Sequence, residues 1–173
     1  SLKYFQIDEH AIGCLVEFHN RGRSSQSITF HATHQYGHPE TNWWGSNGFC
    51  TFYSPEAEAA VAKIWAYGDI FVMGANRTPI AYKATGSEPE WREWMLADSL
   101  AENDGATSIT PNPVFGCLSY RIELPGGSSD SMLLVLARGT NEVYARKTFE
   151  KAFEDAQAKL DQIRDEDKAF YDN

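Results

Sequence analysis

The hydrophobic pattern of this 173-residue chain changes period near residue 140. Before that point apolar residues recur at every second position; after it they recur at every third or fourth. The first rhythm belongs to half-buried β-strands, the second to one face of an α-helix. From Ala11 to Asn20, Ile12, Cys14, Val16 and Phe18 point one way, while Leu15, Glu17 and His19 point the other. Asn20-Arg21-Gly22-Arg23 reads as a turn, and Ser27 to His34 resumes the alternation with Ile28, Phe30 and Ala32 on one face. Together these stretches predict a hairpin. Phe49–Tyr53, Ile70–Met73 and Ile80–Ala84 read as shorter strands, and Val114–Leu124 as a longer one. Ser131–Arg138 (SMLLVLAR) is the most apolar run and predicts a central strand buried on both faces. Pro55–Lys63 has helix propensity, and Glu88–Leu96 opens like a helix, with Pro89 in its first turn and acids at its N-terminus. About eight strands separated by turn clusters predict a sandwich.

Beyond Asn141, a fair N-cap, the apolar positions are Phe149, Phe153, Ala156, Leu160, Ile163 and Phe170, one stripe on a long helix. A helix of about thirty residues is ~45 Å long. That exceeds the thickness of a small sandwich, so part of the stripe is expected to rest on something else. The predicted fold is mainly β: a large, supersandwich-like antiparallel β-sandwich over residues 1–140, then a long amphipathic helix over 141–173. The chain starts in a strand-like run, Lys3–Asp8, and ends in a helix-like one, which leads us to expect a piece of a longer protein.

Twenty-four acids against 15 bases give a formal charge of −9, which disfavours nucleic acid and anionic membranes as partners. No apolar run reaches the ~18 residues of a membrane-spanning helix. Cys14, Cys50 and Cys117 are widely spaced, form no CxxC pair and sit among apolar neighbours, so they read as buried thiols. A Cys50–Cys117 disulfide is the alternative for an exported protein. The compartment is not fixed by the sequence; the cytoplasm is favoured. No G-x-S-x-G elbow, activated cysteine, dinucleotide fingerprint or Walker loop occurs. The pairs Glu56/Glu58, Glu90/Glu93 and Asp98/Glu102 are what chance produces in so acidic a chain. His31-x-x-His34-x-x-x-His38 is the densest set of metal-ligand types, but strand periodicity puts His31 and His34 on opposite faces. No metal or cofactor is expected.

The stretch from Gln35 to Pro55 breaks the alternation with Gly, Asn and aromatic residues. Sugar rings stack their C–H faces on indole, and their hydroxyls pair with amides and imidazoles. Tyr36, His38, Asn42, Trp43, Trp44 and Asn47 supply those groups and form the candidate substrate-binding set. Two Trp buried to anchor the loop are the competing reading, as adjacent residues on extended chain face opposite ways. Trp91 and Trp94, three apart on a predicted helix, read as a packing face.

In order and wording, Leu15–Asn20, Leu118–Gly127 (with Tyr120-Arg-Ile-Glu-Leu-Pro-Gly-Gly127), Leu134–Gly139 and the helix from Asn141 to Tyr171 resemble the N-terminal β-domain and linker helix of six-hairpin glycosidases. The resemblance implies a twisted sandwich preceding an (α/α)6 toroid, with Phe170-Tyr171 where such chains enter the toroid. It implies that the catalytic acid and base lie in the toroid, past Asn173, so that no catalytic residue falls in this segment. On that reading the chain is a non-catalytic domain of a glycoside hydrolase, its partners the missing toroid and a carbohydrate substrate. It would buttress the toroid and lend the Trp43-Trp44 loop to the sugar groove. The alternatives are a self-standing carbohydrate-binding, lectin-like sandwich and an assembly domain that dimerises through its helix.

Overall fold

A computed structural model describes residues 1–37, 48–65, 68–97, 108–110 and 113–171. In chain order the elements are β1 (Leu2–Gln6), β2 (Ala11–His19), β3 (Gln26–Tyr36), β4 (Phe49–Ser54), β5 (Ala59–Ile64), β6 (Asp69–Ala75), β7 (Ala81–Thr85), α1 (Glu88–Leu96), β8 (Ser108–Thr110), β9 (Val114–Leu124), β10 (Ser129–Gly139) and α2 (Glu142–Tyr171). A seven-stranded sheet in the order β1-β2-β10-β6-β5-β4-β8 faces a three-stranded sheet in the order β3-β9-β7. Every pairing is antiparallel. The predicted sandwich with a long terminal helix is the fold observed, with ten described strands instead of about eight.

The helix makes a third layer. One core lies between the sheets, where Cys14, Val16, Tyr82, Leu118, Tyr120, Ile122 and Met132 meet. A second lies between the large sheet and α2, built from Val61, Val72, Val135 and Ala137 against Ala145, Phe149 and Ala152. Strand β10 serves both: Met132 and Leu134 enter the first core, Leu133, Val135 and Ala137 the second. Two-sided burial is why its sequence is apolar without alternation. Gly74 and Gly139 let the helix come close. A Cβ on Gly74 would lie 2.8 Å from the Phe149 ring, and one on Gly139 2.6 Å from the backbone N of Ala145. The Asn141 side chain accepts from the Tyr144 N–H at 2.9 Å, the predicted cap.

Two expectations are corrected. Pro55–Lys63 is no helix: residues 55–58 turn, Glu58 takes a positive φ of 48°, and Ala59–Ile64 is a strand. Ala59, Ala60, Val61 and Ala62 are all buried, between α2 on one side and the small sheet on the other. Sheet pairing and burial on both faces outweigh alanine's helix propensity of a few tenths of a kcal/mol per residue, roughly. Nor do residues 11–20 and 27–34 form a hairpin, because β2 pairs with β1 and β10 while β3 pairs with β9. The connection crosses between sheets, as does the β9–β10 connection, and Asn20 ties the two crossings together. Its Nδ2 donates to the carbonyls of Ser24 (2.8 Å), Leu124 (2.9 Å) and Pro125 (3.1 Å), and its Oδ1 accepts from the Gly22 N–H (2.9 Å). Gly126 packs so closely on the backbone of Arg23 that a Cβ would meet its carbonyl oxygen at 2.2 Å.

Helix α1 forms as predicted. Ser87 caps it, its Oγ accepting from the Glu90 N–H, and the Glu90 carboxylate accepts from the Thr85 hydroxyl at 2.8 Å. Trp91 packs on Phe115 (centroids 5.2 Å apart) and Trp94 on His31 (6.2 Å), so α1 lies on the outer face of the small sheet. Trp91 and Trp94 thus make the packing face that their spacing predicts.

Candidate functional site: the aromatic foot of the 38–47 loop

Of the six candidate sugar-binding residues, Tyr36 falls among the described residues; His38, Asn42, Trp43, Trp44 and Asn47 lie outside them. The ground from which their loop springs is well defined. It leaves at the end of β3 and returns at Gly48, at the start of β4.

At the outgoing end, β3 places His34 and Tyr36 on the inner face of the small sheet. The His34 ring spans the two sheets: its Nε2 meets the Thr51 hydroxyl of β4 at 2.8 Å, and Thr51 meets the Tyr82 hydroxyl of β7 at 3.0 Å. Thr51 and Tyr82 are completely buried. Room for the imidazole comes from Gly116, its register partner on β9, where a Cβ would stand 2.2 Å from the ring. Although part of the His34 residue reaches the surface, its Nδ1 is sealed from water and has no hydrogen-bond partner among the described residues. Protonation would create a buried charge and an N–H with no acceptor, so desolvation pushes the pKa down to about 4. His34 is therefore a neutral structural bridge at ordinary pH.

Tyr36 stacks on Phe71 of β6 with centroids 5.1 Å apart and leans on His34 at 5.3 Å. Burial raises its phenol pKa. Its ring packs on the sheet beneath it at the end of β3. At the returning end, the Trp65 N–H donates to the Gly48 carbonyl at 3.2 Å, and the Trp65 ring covers Gly48 closely enough that a Cβ would lie 2.2 Å away. Trp65 is 54% exposed. It is an open aromatic surface beside Gly48 that the sequence pattern does not single out. The available signal was an aromatic residue directly after a strand, in Trp65-Ala66-Tyr67-Gly68.

Neither the described histidines nor the described carboxylates assemble a reactive centre here. His31 Nδ1 meets the Ser119 hydroxyl at 2.7 Å on the opposite face from His34, as the strand period requires. Glu56 binds Arg146 at 2.6 Å, Glu58 accepts from Thr78 at 2.9 Å, and Glu90 belongs to the α1 cap. Asp98 and Glu102 lie outside the described residues. All three cysteines are free and buried, and burial raises the pKa of each, to about 12 at Cys117. The described geometry offers aromatic contact at the loop's foot.

No family model matches the chain, and no curated protein matches it. Among solved structures it is similar to a protein described as a kojibiose phosphorylase from the human microbiome (11% identity, TM-score 0.46). It is also similar to a bacterial glucoamylase complexed with acarbose (15% identity, TM-score 0.46). Each comparison covers 86% of this chain, which spans 17% of the first protein and 23% of the second.

Proposed function

We propose that this chain is the non-catalytic N-terminal β-sandwich and linker helix (residues 1–140 and 141–173) of a carbohydrate-active enzyme of the six-hairpin type. It buttresses an (α/α)6 catalytic domain and lends the 38–47 loop to that domain's sugar groove. The sequence resemblance supports this reading, and its matching segments lie together in the fold: β2 pairs with β10, α2 packs on β10, and β9 is the centre of the small sheet.

The observation that carries the proposal is the change in burial along α2. Ala145, Phe149, Ala152 and Ala156 are buried on the sheet, whereas from Gln157 to Glu166 no residue is buried and Leu160 and Ile163 remain half-exposed. From Ala156 to Tyr171 the helix runs on for about 22 Å. That length suits a rod handed to a neighbouring domain. Assaying the product of the complete gene for release of reducing sugar tests the reading. Activity that falls on Trp43→Ala or Trp44→Ala, in a protein with a helical domain following residue 173, is the expected result. A gene with no such domain would refute it.

A second reading, a self-standing carbohydrate-binding sandwich, draws on the open face of Trp65 beside Gly48. It predicts that the 173-residue chain alone binds oligosaccharide with a change in Trp fluorescence; the first reading predicts no measurable change.

A further inference from the structure

Helix α1 lies on the outer face of the small sheet, and the His31 ring is wedged between the two. On that face His31 of β3 shares a rung with Ser119 of β9 and Ala81 of β7. On the sheet side its Nδ1 meets the Ser119 hydroxyl at 2.7 Å and lies 3.7 Å from the Cys117 Sγ; Ser119 and Cys117 are completely buried. On the helix side the ring hydrogen-bonds the Met95 backbone, and the Trp94 ring tilts against it with centroids 6.2 Å apart. Met95 stands in the last turn of α1, where carbonyls lack a partner within the helix, so it accepts. The imidazole N–H is then on Nε2, and Nδ1 accepts from the Ser119 hydroxyl.

The hold of α1 on the sheet is slight. None of its nine residues is fully buried. The indole N–H groups of Trp91 and Trp94 are sealed from water with no partner among the described residues. Each costs about 1–3 kcal/mol, which is set against the apolar contact that Trp91 and Trp94 make. A modest change at the wedge therefore decides whether the helix stays down.

From this geometry we infer that His31 is an acid-sensitive latch: α1 lies closed on the small sheet while the ring is neutral and lifts when the ring gains a proton. The added proton enters on Nδ1 and turns it from acceptor to donor. The Ser119 hydroxyl must then turn its own hydrogen away, toward the Cys117 Sγ at 3.9 Å, a weak acceptor. No carboxylate among the described residues stands ready to pair with the new charge. The neighbouring rungs of the same face carry cations, Arg121 opposite Thr29 and Lys83 opposite Cys117. Glu123, a rung beyond Arg121, is held by the Ser27 hydroxyl at 2.6 Å. On α1, Glu90 is held by Thr85, Glu88 pairs with Arg92, and Glu93 is exposed. Burial accordingly holds the His31 pKa below its ordinary value, against the opposing pull of the Met95 backbone. Because the pKa is depressed in the closed state, closure is complete above about pH 6.5 and is lost as pH falls through the closed-state value. The inference stands apart from the proposed enzymatic role and does not depend on it.

The experiment uses the isotopically labelled 173-residue chain. The His31 Cε1–H resonance is titrated from about pH 8 to about pH 5, and the opening of the α1 amides is followed by hydrogen exchange, corrected for the intrinsic pH dependence of exchange. His31 should titrate below the ordinary 6.5. Opening of Trp91–Leu96 should rise about twofold or more toward acid, while the β9 and β10 amides stay protected. His31→Gln keeps a donor for Met95 and takes no proton, so its α1 opening should be independent of pH. The titration of the unsubstituted chain stands whether or not that variant folds. A His31 that titrates at or above 6.5, or an acid-driven opening of α1 that is equally large in His31→Gln, would overturn the proposal.

Discussion

Phe149 is the side chain through which α2 grips the large sheet, and removing its ring tests the three-layer packing directly. It is 4% exposed, sits over Gly74 and Ala59, and makes an edge-on contact with Phe153 at 5.0 Å. Phe149→Ala takes away a fully packed ring and leaves a cavity that the sheet beneath cannot close, a change that costs about 3–5 kcal/mol. For a chain of this size that is roughly 10 °C in Tm. Leu160→Ala, in the half-exposed part of the same stripe, should cost about 1 kcal/mol. Gly74→Ala should cost about 1–3 kcal/mol by itself, because the new methyl meets the Phe149 ring. Most of that cost should vanish in the Phe149→Ala background, a coupling of about 1 kcal/mol or more. Urea denaturation followed by circular dichroism measures all four proteins. Equal losses for Phe149→Ala and Leu160→Ala, or additive losses for the Gly74/Phe149 pair, would refute the argument.

Acid should destabilise the fold through His34. Its folded-state pKa of about 4 lies below the ordinary 6.5, so its stabilising contribution is complete above about pH 6.5 and is lost as pH falls toward 4. The loss is at most about 3 kcal/mol, and denaturation midpoints of His34→Gln across that window should lack this component. Asn20→Asp should cost about 1–3 kcal/mol, since a carboxylate cannot donate to the three carbonyls that the Asn20 amide serves; thermal melts measure it. Glu58→Gly should stabilise by up to about 1 kcal/mol by relieving a positive φ at the β4–β5 turn, less the lost Thr78 contact, again read from melts. Ellman's reagent should titrate three thiols in denaturant and react slowly with the native chain, because Cys14, Cys50 and Cys117 are buried.

Much of the fold was legible because its cause is local. Alternation in Ala11–His19 and Val114–Leu124, the unbroken apolar run in β10, the Asn141 cap and the stripe of α2 are each written in a few consecutive residues. What a strand pairs with is not. Asn20 and Gly22 look like hairpin residues, yet the Asn20 amide donates to Leu124 and Pro125 and the Gly22 carbonyl accepts from the Gly127 N–H, about a hundred positions away, and β3 goes into the other sheet. Ala59–Ala62 looks helical until a helix on one side and a sheet on the other require small buried side chains in a strand. In the candidate site, the aromatic and Gly/Asn composition of the loop could be read directly. That Tyr36 is occupied by Phe71, and that Trp65 stands open beside Gly48, could not.

The sequence by itself determined which stretches are extended, where the long helix begins and which of its faces is apolar, because each depends on the spacing of neighbouring residues. Only the tertiary structure decided how strands are shared between sheets and how far along α2 the large sheet provides cover. Those features depend on contacts between residues distant in the chain, which periodicity does not encode.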